Sequence, residues 1–267
     1  MTFFEVITEA INDMMEHGFD SEKRVQQWME TIRIAAINNM IPDSVIEQEM
    51  IKSMTNAFNR LTVKGGLINK NVSKYDIERL KPKLRSELDR RIMTSANLIK
   101  MNREEAISNT LRRFQGWATS IPIGGTKAQD KNKTKKDIKK SLTSIRFDQR
   151  RVVVDQTHKL VANINDIVAI DNGAIAAKWH SHWRQPDYHY RKDHKERDEK
   201  TYIIRDSWAH KKGLVKAVNG YTDQITQPGE EVFCRCNYQY IYNLRNIKDL
   251  LTPKGELALQ SSKITLN

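Results

Sequence analysis

The chain has 267 residues, of which 39% are hydrophobic and 29% are charged, so it can hold one large domain or two modest ones. Its net charge of +12 favours a polyanionic partner, with nucleic acid first. Apolar runs fall short of the roughly 18 residues of a membrane span, and the acidic N-terminal segment does not resemble a secretory signal. With two cysteines, the chain lacks a disulfide framework, and we expect both thiols to be reduced.

The N-terminal third has helical periodicity. Ser21 has the position and chemistry of an N-cap, and it predicts a helix that continues to about Asn39. Ser44 and Glu47 have the spacing of a capping box, which predicts a second helix through residue 61. We expect Gly65-Gly66 to end this helical unit.

Further helices are predicted in the middle of the chain. Ser73 favours the start of a short helix that stops before Pro82, because proline lacks the backbone donor that a helix interior needs. An approximate stripe of apolar residues then predicts a long helix over residues 83–119. Another helix is predicted over residues 144–170, and Asn172-Gly173 is suited to the left-handed turn that would end it.

Positive charge is concentrated between the two long helices. Residues 126–151 contain ten Lys or Arg against three Asp. The first part, residues 126–143, is poor in apolar residues and is predicted to be a basic linker, either a solvated segment or a contact for DNA. The predicted phosphate contacts are its lysines: Lys127, Lys131, Lys133, Lys135, Lys136, Lys139 and Lys140.

After Gly173 the apolar period changes from that of a helix to that of a strand. Alternation predicts one strand over residues 174–183, with a buried tryptophan face, and another over residues 232–242. Residues 201–204 are a candidate for a third, short strand. The predicted fold class is therefore α+β, with a mainly helical N-terminal two-thirds and a small C-terminal α+β module containing a short antiparallel sheet.

These patterns predict five segments along the chain. They are an N-terminal helical region (1–66), a long-helix region (67–125), the basic linker (126–143), the α+β module (144–245) and a C-terminal tail (246–267).

The residues that carry chemistry are concentrated between Trp179 and Cys236. This stretch holds five of the seven histidines, three of the five tryptophans and both cysteines. A zinc site could draw on His180, His182, Cys234 and Cys236. However, only one residue separates the cysteines, whereas zinc knuckles usually have two to four. Because alternation also places both thiols on the core face, packing as small apolar groups is the preferred interpretation, and no metal and no cofactor are predicted.

A second hypothesis is a metal-dependent nuclease. The charged string HYRKDHKERDE contains candidate ligands and bases in Asp193, His194, Glu196 and Asp198, with Arg191 for developing negative charge. The string is also typical of an exposed turn, and no nuclease signature is complete within it.

One family has these features in the same order. Residues 145–245 resemble the head morphogenesis proteins of tailed bacteriophages, the Mu F-like minor head proteins. The similarity is carried by a helical Arg, a Gly, a strand ending in Trp, an Arg and His before an acidic turn, and a Pro before a Cys-Arg-Cys string. The corresponding residues are Arg151, Gly173, Trp179, Arg191, His194, Asp198, Pro228, Cys234, Arg235 and Cys236. The family's Asp-Gly turn is Asp198-Glu199 in this chain, and its His-Pro-x-Cys-Arg-Cys ending is also altered.

The resemblance implies a minor, non-enzymatic protein of the phage head. Such a protein would reside inside the virion, and in the host cytoplasm during assembly. Its partners would be the portal protein and a capsid or scaffolding protein, and it would act in procapsid assembly, DNA packaging or DNA delivery. Non-specific contact with double-stranded DNA suits the basic charge. We further predict that Arg191, His194 and Arg235 form a polar structural cluster outside the core formed by Trp179, Cys234 and Cys236.

Overall fold

The structure is a computed structural model that describes residues 1–62 and 73–264. Long helices precede a small antiparallel sheet, and this order confirms the predicted α+β fold class. The helices in chain order are α1 (Phe3–His17), α2 (Glu22–Asn38), α3 (Asp43–Thr62), α4 (Lys74–Ala118), α5 (Lys131–Thr143), α6 (Ile145–Asp171), α7 (Lys192–Glu196), α8 (Trp208–Lys211) and α9 (Pro253–Ile264). The strands are β1 (Ala176–His180), β2 (Thr201–Ile203) and β3 (Asn237–Ile241). Within the described ranges, no helix combines the length and apolar character needed to cross a membrane.

The chain divides into two compact units, each built from two segments. Unit 1 comprises Met1–Met50 with Met93–Val153, and unit 2 comprises Ile51–Ile92 with Val154–Asn267. The division differs from the five consecutive segments predicted from the sequence, because long helices carry the chain from one unit to the other.

Unit 1 is helical. Its core is formed by one face of α1, one face of α2, the second half of α4 and one residue of α5, Ile138. The Thr2 hydroxyl accepts from the Glu5 N–H and the Glu5 carboxylate accepts from the Thr2 N–H, so a capping box starts α1. Ser21 caps α2, as predicted, by accepting from the Arg24 N–H.

Two expectations about the helices were wrong. The predicted break before Pro82 is absent, and α4 runs through it. Leu80, Leu84 and Leu88 are all buried, and this burial outweighs the roughly 3 kcal/mol that an internal proline costs a helix. The predicted linker also contains α5, because the Asp130 carboxylate accepts from the backbone N–H groups that open the helix. Gly65-Gly66, expected to end α3, lie outside the described residues.

Unit 2 contains the sheet, in the order β2-β1-β3 with both pairings antiparallel. Gly173 ends α6 with φ +77°, as its position predicted, and turns the chain into β1. Alternation along β1 places Ala177 and Trp179 in one apolar cluster and Ala176 in another, so the central strand is buried on both faces. The cluster around Trp179 also contains Ala169 of α6.

The strands agree only in part with those predicted. The strand predicted over residues 201–204 is confirmed as β2, but the one over residues 232–242 is confined to Asn237–Ile241. Phe233 has φ +59°, a left-handed conformation that extended strands do not use. The residues from Glu231 to Cys236 therefore form a turn and an irregular segment, and this departure from a strand creates the site described below.

Candidate functional site

The site is a buried cluster of His194, Cys234 and Cys236 in unit 2. Each of the three residues is only 1% exposed. The His194 Nδ1 atom lies 3.5 Å from Cys236 Sγ and 3.7 Å from Cys234 Sγ. All three ligand-type atoms lie within 4.8 Å of one another. Both cysteines are unbridged. We call this group the HCC cluster.

The irregular segment and α7 bring these side chains together. The backbone N–H of Cys234 donates to the Glu231 carbonyl at 3.1 Å and closes the turn that carries both thiols. His194 lies in the short helix α7, and its ring meets the Trp179 ring edge-on at 5.2 Å between centroids. The indole of the central strand thus forms one wall of the HCC cluster.

Acidic and basic side chains lie beyond the imidazole. The Glu231 Oε2 atom is 2.5 Å from His194 Nε2 and 3.2 Å from Arg191 Nε. Arg191 also donates through Nη2 to the Val232 carbonyl at 3.0 Å. The Glu231 carboxylate therefore lies between the Arg191 guanidinium and the Nε2 side of the imidazole, and the Nδ1 side faces the thiols.

The HCC cluster favours a thiolate on one of its cysteines. Hydrogen bonding from the Cys236 thiol and from the backbone N–H groups of Gly229 and Cys236, helped by His194, outweighs burial and lowers the pKa of Cys234 to about 5. Donating that hydrogen bond, together with burial, raises the pKa of Cys236.

The residues predicted for the site are brought together only in part. Trp179, Cys234 and Cys236 share one apolar cluster, as expected. Arg191 and His194 are linked through Glu231, but His194 is buried rather than outside the core. The Arg235 N–H donates to the Tyr188 hydroxyl at 3.1 Å, a backbone contact beside the linked pair.

His180 and His182 do not join the cysteines. The His180 ring contacts Glu199 at 2.9 Å and Gln239 at 3.0 Å. His182 is exposed, with its ring edge-on to Tyr188 at 5.7 Å. The His-x-His and Cys-x-Cys spacings suggested these two histidines as partners for the thiols, whereas the residue that occupies the position is His194.

The acidic residues of the nuclease hypothesis have other partners. The Asp198 carboxylate accepts from the Ser181 N–H at 2.7 Å and from Trp183 Nε1 at 2.8 Å. Asp193 is bound to Arg197 at 2.7 Å. The Asp193 Oδ2 atom also lies 3.9 Å from Nε2 of the buried His194, whereas Asp198 holds the loop at Ser181, so the two carboxylates do not form one open site with His194.

Sequence reasoning missed Glu231 and Asp155. The buried Asp155 carboxylate on α6 accepts from the Phe233 N–H at 2.6 Å and so holds the turn of the HCC cluster against α6. Glu231, three residues before Cys234, had a local signal in that spacing. Asp155 had none, because 78 residues separate it from its partner.

The lysines predicted to contact DNA lie mostly on α5. Lys133, Lys136 and Lys140 are exposed there. Lys131 donates to Asn12 at 2.9 Å, and Lys135 donates to Thr8 at 2.5 Å. Of the other predicted DNA-contact lysines, Lys127 precedes α5. Lys139 lies within α5, with its Nζ 5.1 Å from the Phe4 ring centroid. The basic residues are thus displayed on a packed helix.

Comparisons of the chain with protein-family models, with curated proteins and with solved structures returned no match.

Proposed function

We propose that this protein is a minor component of a tailed-phage head that acts near the portal during procapsid assembly, with a further role in DNA packaging or delivery. The observation that carries the proposal is the convergence of the Mu F-like motif residues. Trp179, His194, Cys234 and Cys236 come from three separate segments and meet in one buried cluster. Arg191 completes the group through Glu231.

The acidic turn of the motif gives independent support. The resemblance aligns Glu199 with a family glycine, and Glu199 has φ +64°, where glycine is the favoured residue. The preceding Asp198 anchors Ser181 and Trp183. The turn therefore has the backbone conformation that an Asp-Gly pair would adopt.

The charge of α5 supports a location beside packaged DNA. Six lysines and one aspartate lie in its 13 residues. Lysine contacts to phosphates give affinity that does not depend on base sequence. Such contact is what a head protein surrounded by double-stranded DNA would use.

The test is quantitative mass spectrometry of purified procapsids and mature virions of the virus that encodes the chain. Peptides of this protein are counted against peptides of the portal protein from the same particles, which serve as the internal standard. We expect a few copies per portal in procapsids. A lower ratio in particles that have ejected their DNA would assign the delivery role.

Absence of the chain from both particles would overturn the proposal. Plasmid nicking that requires a divalent cation and is lost in His194→Ala would then favour the nuclease hypothesis. Wild type and variant are compared at matched folded content, measured by far-ultraviolet circular dichroism.

A further inference from the structure

The HCC cluster has the dimensions of a tetrahedral metal site. Zinc bonds thiolate sulfur at about 2.3 Å and imidazole nitrogen at about 2.0–2.1 Å, so two ligand atoms of one tetrahedron lie roughly 3.5–3.8 Å apart. The distances from His194 Nδ1 to the two Sγ atoms, 3.5 and 3.7 Å, fall in this range. The three donors come from a helix and an irregular segment about 40 residues away, and they already point at one another.

The surroundings of His194 match those of a metal-bound imidazole. A histidine that ligates zinc through one ring nitrogen usually donates its other N–H to a carboxylate or carbonyl. The Glu231 carboxylate lies on that side of the ring, with Oε2 2.5 Å from Nε2 but without hydrogen-bond geometry, while Nδ1 faces the thiols. Arg191 in turn holds Glu231. A histidine that only packed in the core would not require the Glu231 carboxylate and the Arg191 guanidinium beside its ring.

The charges also balance. Two thiolates neutralise a divalent cation, and a buried neutral centre avoids the desolvation penalty of an isolated ion. Binding of the ion requires both cysteines to be thiolates and His194 to be neutral, so the protons of both thiols leave to solvent when the metal binds. Soft sulfur ligands with one imidazole select zinc over magnesium or calcium.

We propose that the HCC cluster binds one Zn²⁺ ion through Cys234 Sγ, Cys236 Sγ and His194 Nδ1, with a water molecule in the fourth position. The Ser181 hydroxyl lies 3.9 Å from Cys236 Sγ and is a polar group that would hold that water. The ion fastens α7 to the cysteine turn and to the Trp179 core. This proposal does not depend on the phage-head proposal.

The experiment measures zinc in the full chain purified without chelator or metal-affinity resin. Elemental mass spectrometry is expected to give about one zinc per chain. Competition with a chromophoric zinc chelator then gives the affinity. Cobalt substitution should produce the near-ultraviolet charge-transfer band of thiolate ligands, which reports on sulfur ligation without any assay of activity.

Three variants and one control separate metal binding from packing. Cys236→Ser and His194→Gln should lose stoichiometric zinc, and Glu231→Gln should keep the fold while lowering zinc affinity roughly 10–100-fold. The matched control is His182→Gln, an exposed histidine of the same region, which should bind zinc as the wild type does. Glu231→Gln also keeps the test decisive if the ligand variants do not fold.

Two results would overturn the proposal. One is a folded wild-type chain that binds no zinc at micromolar free metal. The other is wild-type zinc affinity in Glu231→Gln together with a sulfur-free cobalt spectrum. Neither result bears on the count of the protein in phage particles, so the two proposals fail separately.

Discussion

The Asp155 carboxylate accepts a 2.6 Å hydrogen bond from the backbone N–H of Phe233, a residue in the left-handed conformation. Its second oxygen lies 3.2 Å from the ammonium group of the largely buried Lys159. The Asp155 carboxylate thus accepts from the backbone N–H of a strained turn and also neutralises the charge of Lys159. The HCC cluster depends on this contact, because Phe233 immediately precedes Cys234.

Asp155→Ala is expected to lower the free energy of unfolding by roughly 3–5 kcal/mol, because it leaves a buried cation and a buried N–H without partners. Asp155→Asn should cost less, since an amide oxygen still accepts from Phe233. Urea unfolding followed by circular dichroism measures both. The matched control is Asp249→Ala, an exposed aspartate, which should stay within about 0.5 kcal/mol of wild type. Equal effects of Asp155→Ala and the control would contradict the anchoring role.

Local signals predicted much of the fold. The Ser21 cap, the Gly173 stop and the alternation around Trp179 each depend on neighbouring residues, and all three are found in the structure. The errors arose where distant packing overrides propensity. Pro82 lies in a continuous helix because flanking leucines are buried. The lysine-rich segment forms α5 because Ile138 reaches the core of unit 1, in addition to the local N-cap at Asp130.

The candidate site was less predictable for the same physical reason. The sequence placed both thiols in a core, but the turn at Phe233 directs them to a histidine 40 residues away from Cys234. No spacing rule connects α7 to that turn. The pair His180 and His182 has the more familiar spacing for a metal site, but both residues have different partners.

Stability is expected to depend on pH through Asp166. Burial raises the pKa of this carboxyl group, although the Tyr240 hydroxyl donates to it at 2.9 Å. The folded state therefore holds the proton more tightly than the unfolded state, and the contribution of Asp166 to stability falls as pH rises from the unfolded pKa through the folded pKa. The Asp166 carboxyl group therefore contributes least to stability at pH values above both its unfolded and its folded pKa.

Asp166→Asn removes this ionisation and keeps an oxygen that can accept from Tyr240. It should therefore be more stable than wild type at neutral pH, and the difference should disappear below about pH 4, where wild-type Asp166 is protonated in both states. Thermal unfolding of the two proteins across this range measures the effect. If the stability difference between Asp166→Asn and wild type did not change with pH, the raised pKa of Asp166 would not be its cause.

The exposed lysines of α5 are expected to carry non-specific DNA binding. Replacing Lys133, Lys136 and Lys140 with glutamine should weaken binding to any duplex and reduce the slope of log affinity against log salt by about 1 per lysine that contacts a phosphate. The control replaces Lys211, Lys212 and Lys216, exposed lysines of unit 2, with the same loss of charge. Fluorescence anisotropy on two unrelated duplexes gives the slopes. Equal slopes for the two triple variants would mean that total charge, and not α5, determines binding.

The left-handed residue Glu199 gives a test of the acidic turn. Its φ of +64° costs a residue with a Cβ atom about 1–2 kcal/mol relative to glycine. Its carboxylate offsets part of that cost by contacts with Lys178 at 2.5 Å and His180 at 2.9 Å. Because the side chain is half exposed, these ion pairs contribute only about 0–1 kcal/mol. The ion pairs therefore offset only part of the conformational cost in the natural chain.

Glu199→Gly removes both the cost and the ion pairs, so its stability should lie within about 1 kcal/mol of wild type. Glu199→Ala removes the ion pairs and keeps the cost, so it should be about 1 kcal/mol less stable than Glu199→Gly. Parallel urea unfolding of the three proteins measures the order. An alanine variant as stable as the glycine variant would show that the turn does not require a left-handed residue, and it would remove the support that Glu199 gives to the Mu F-like proposal.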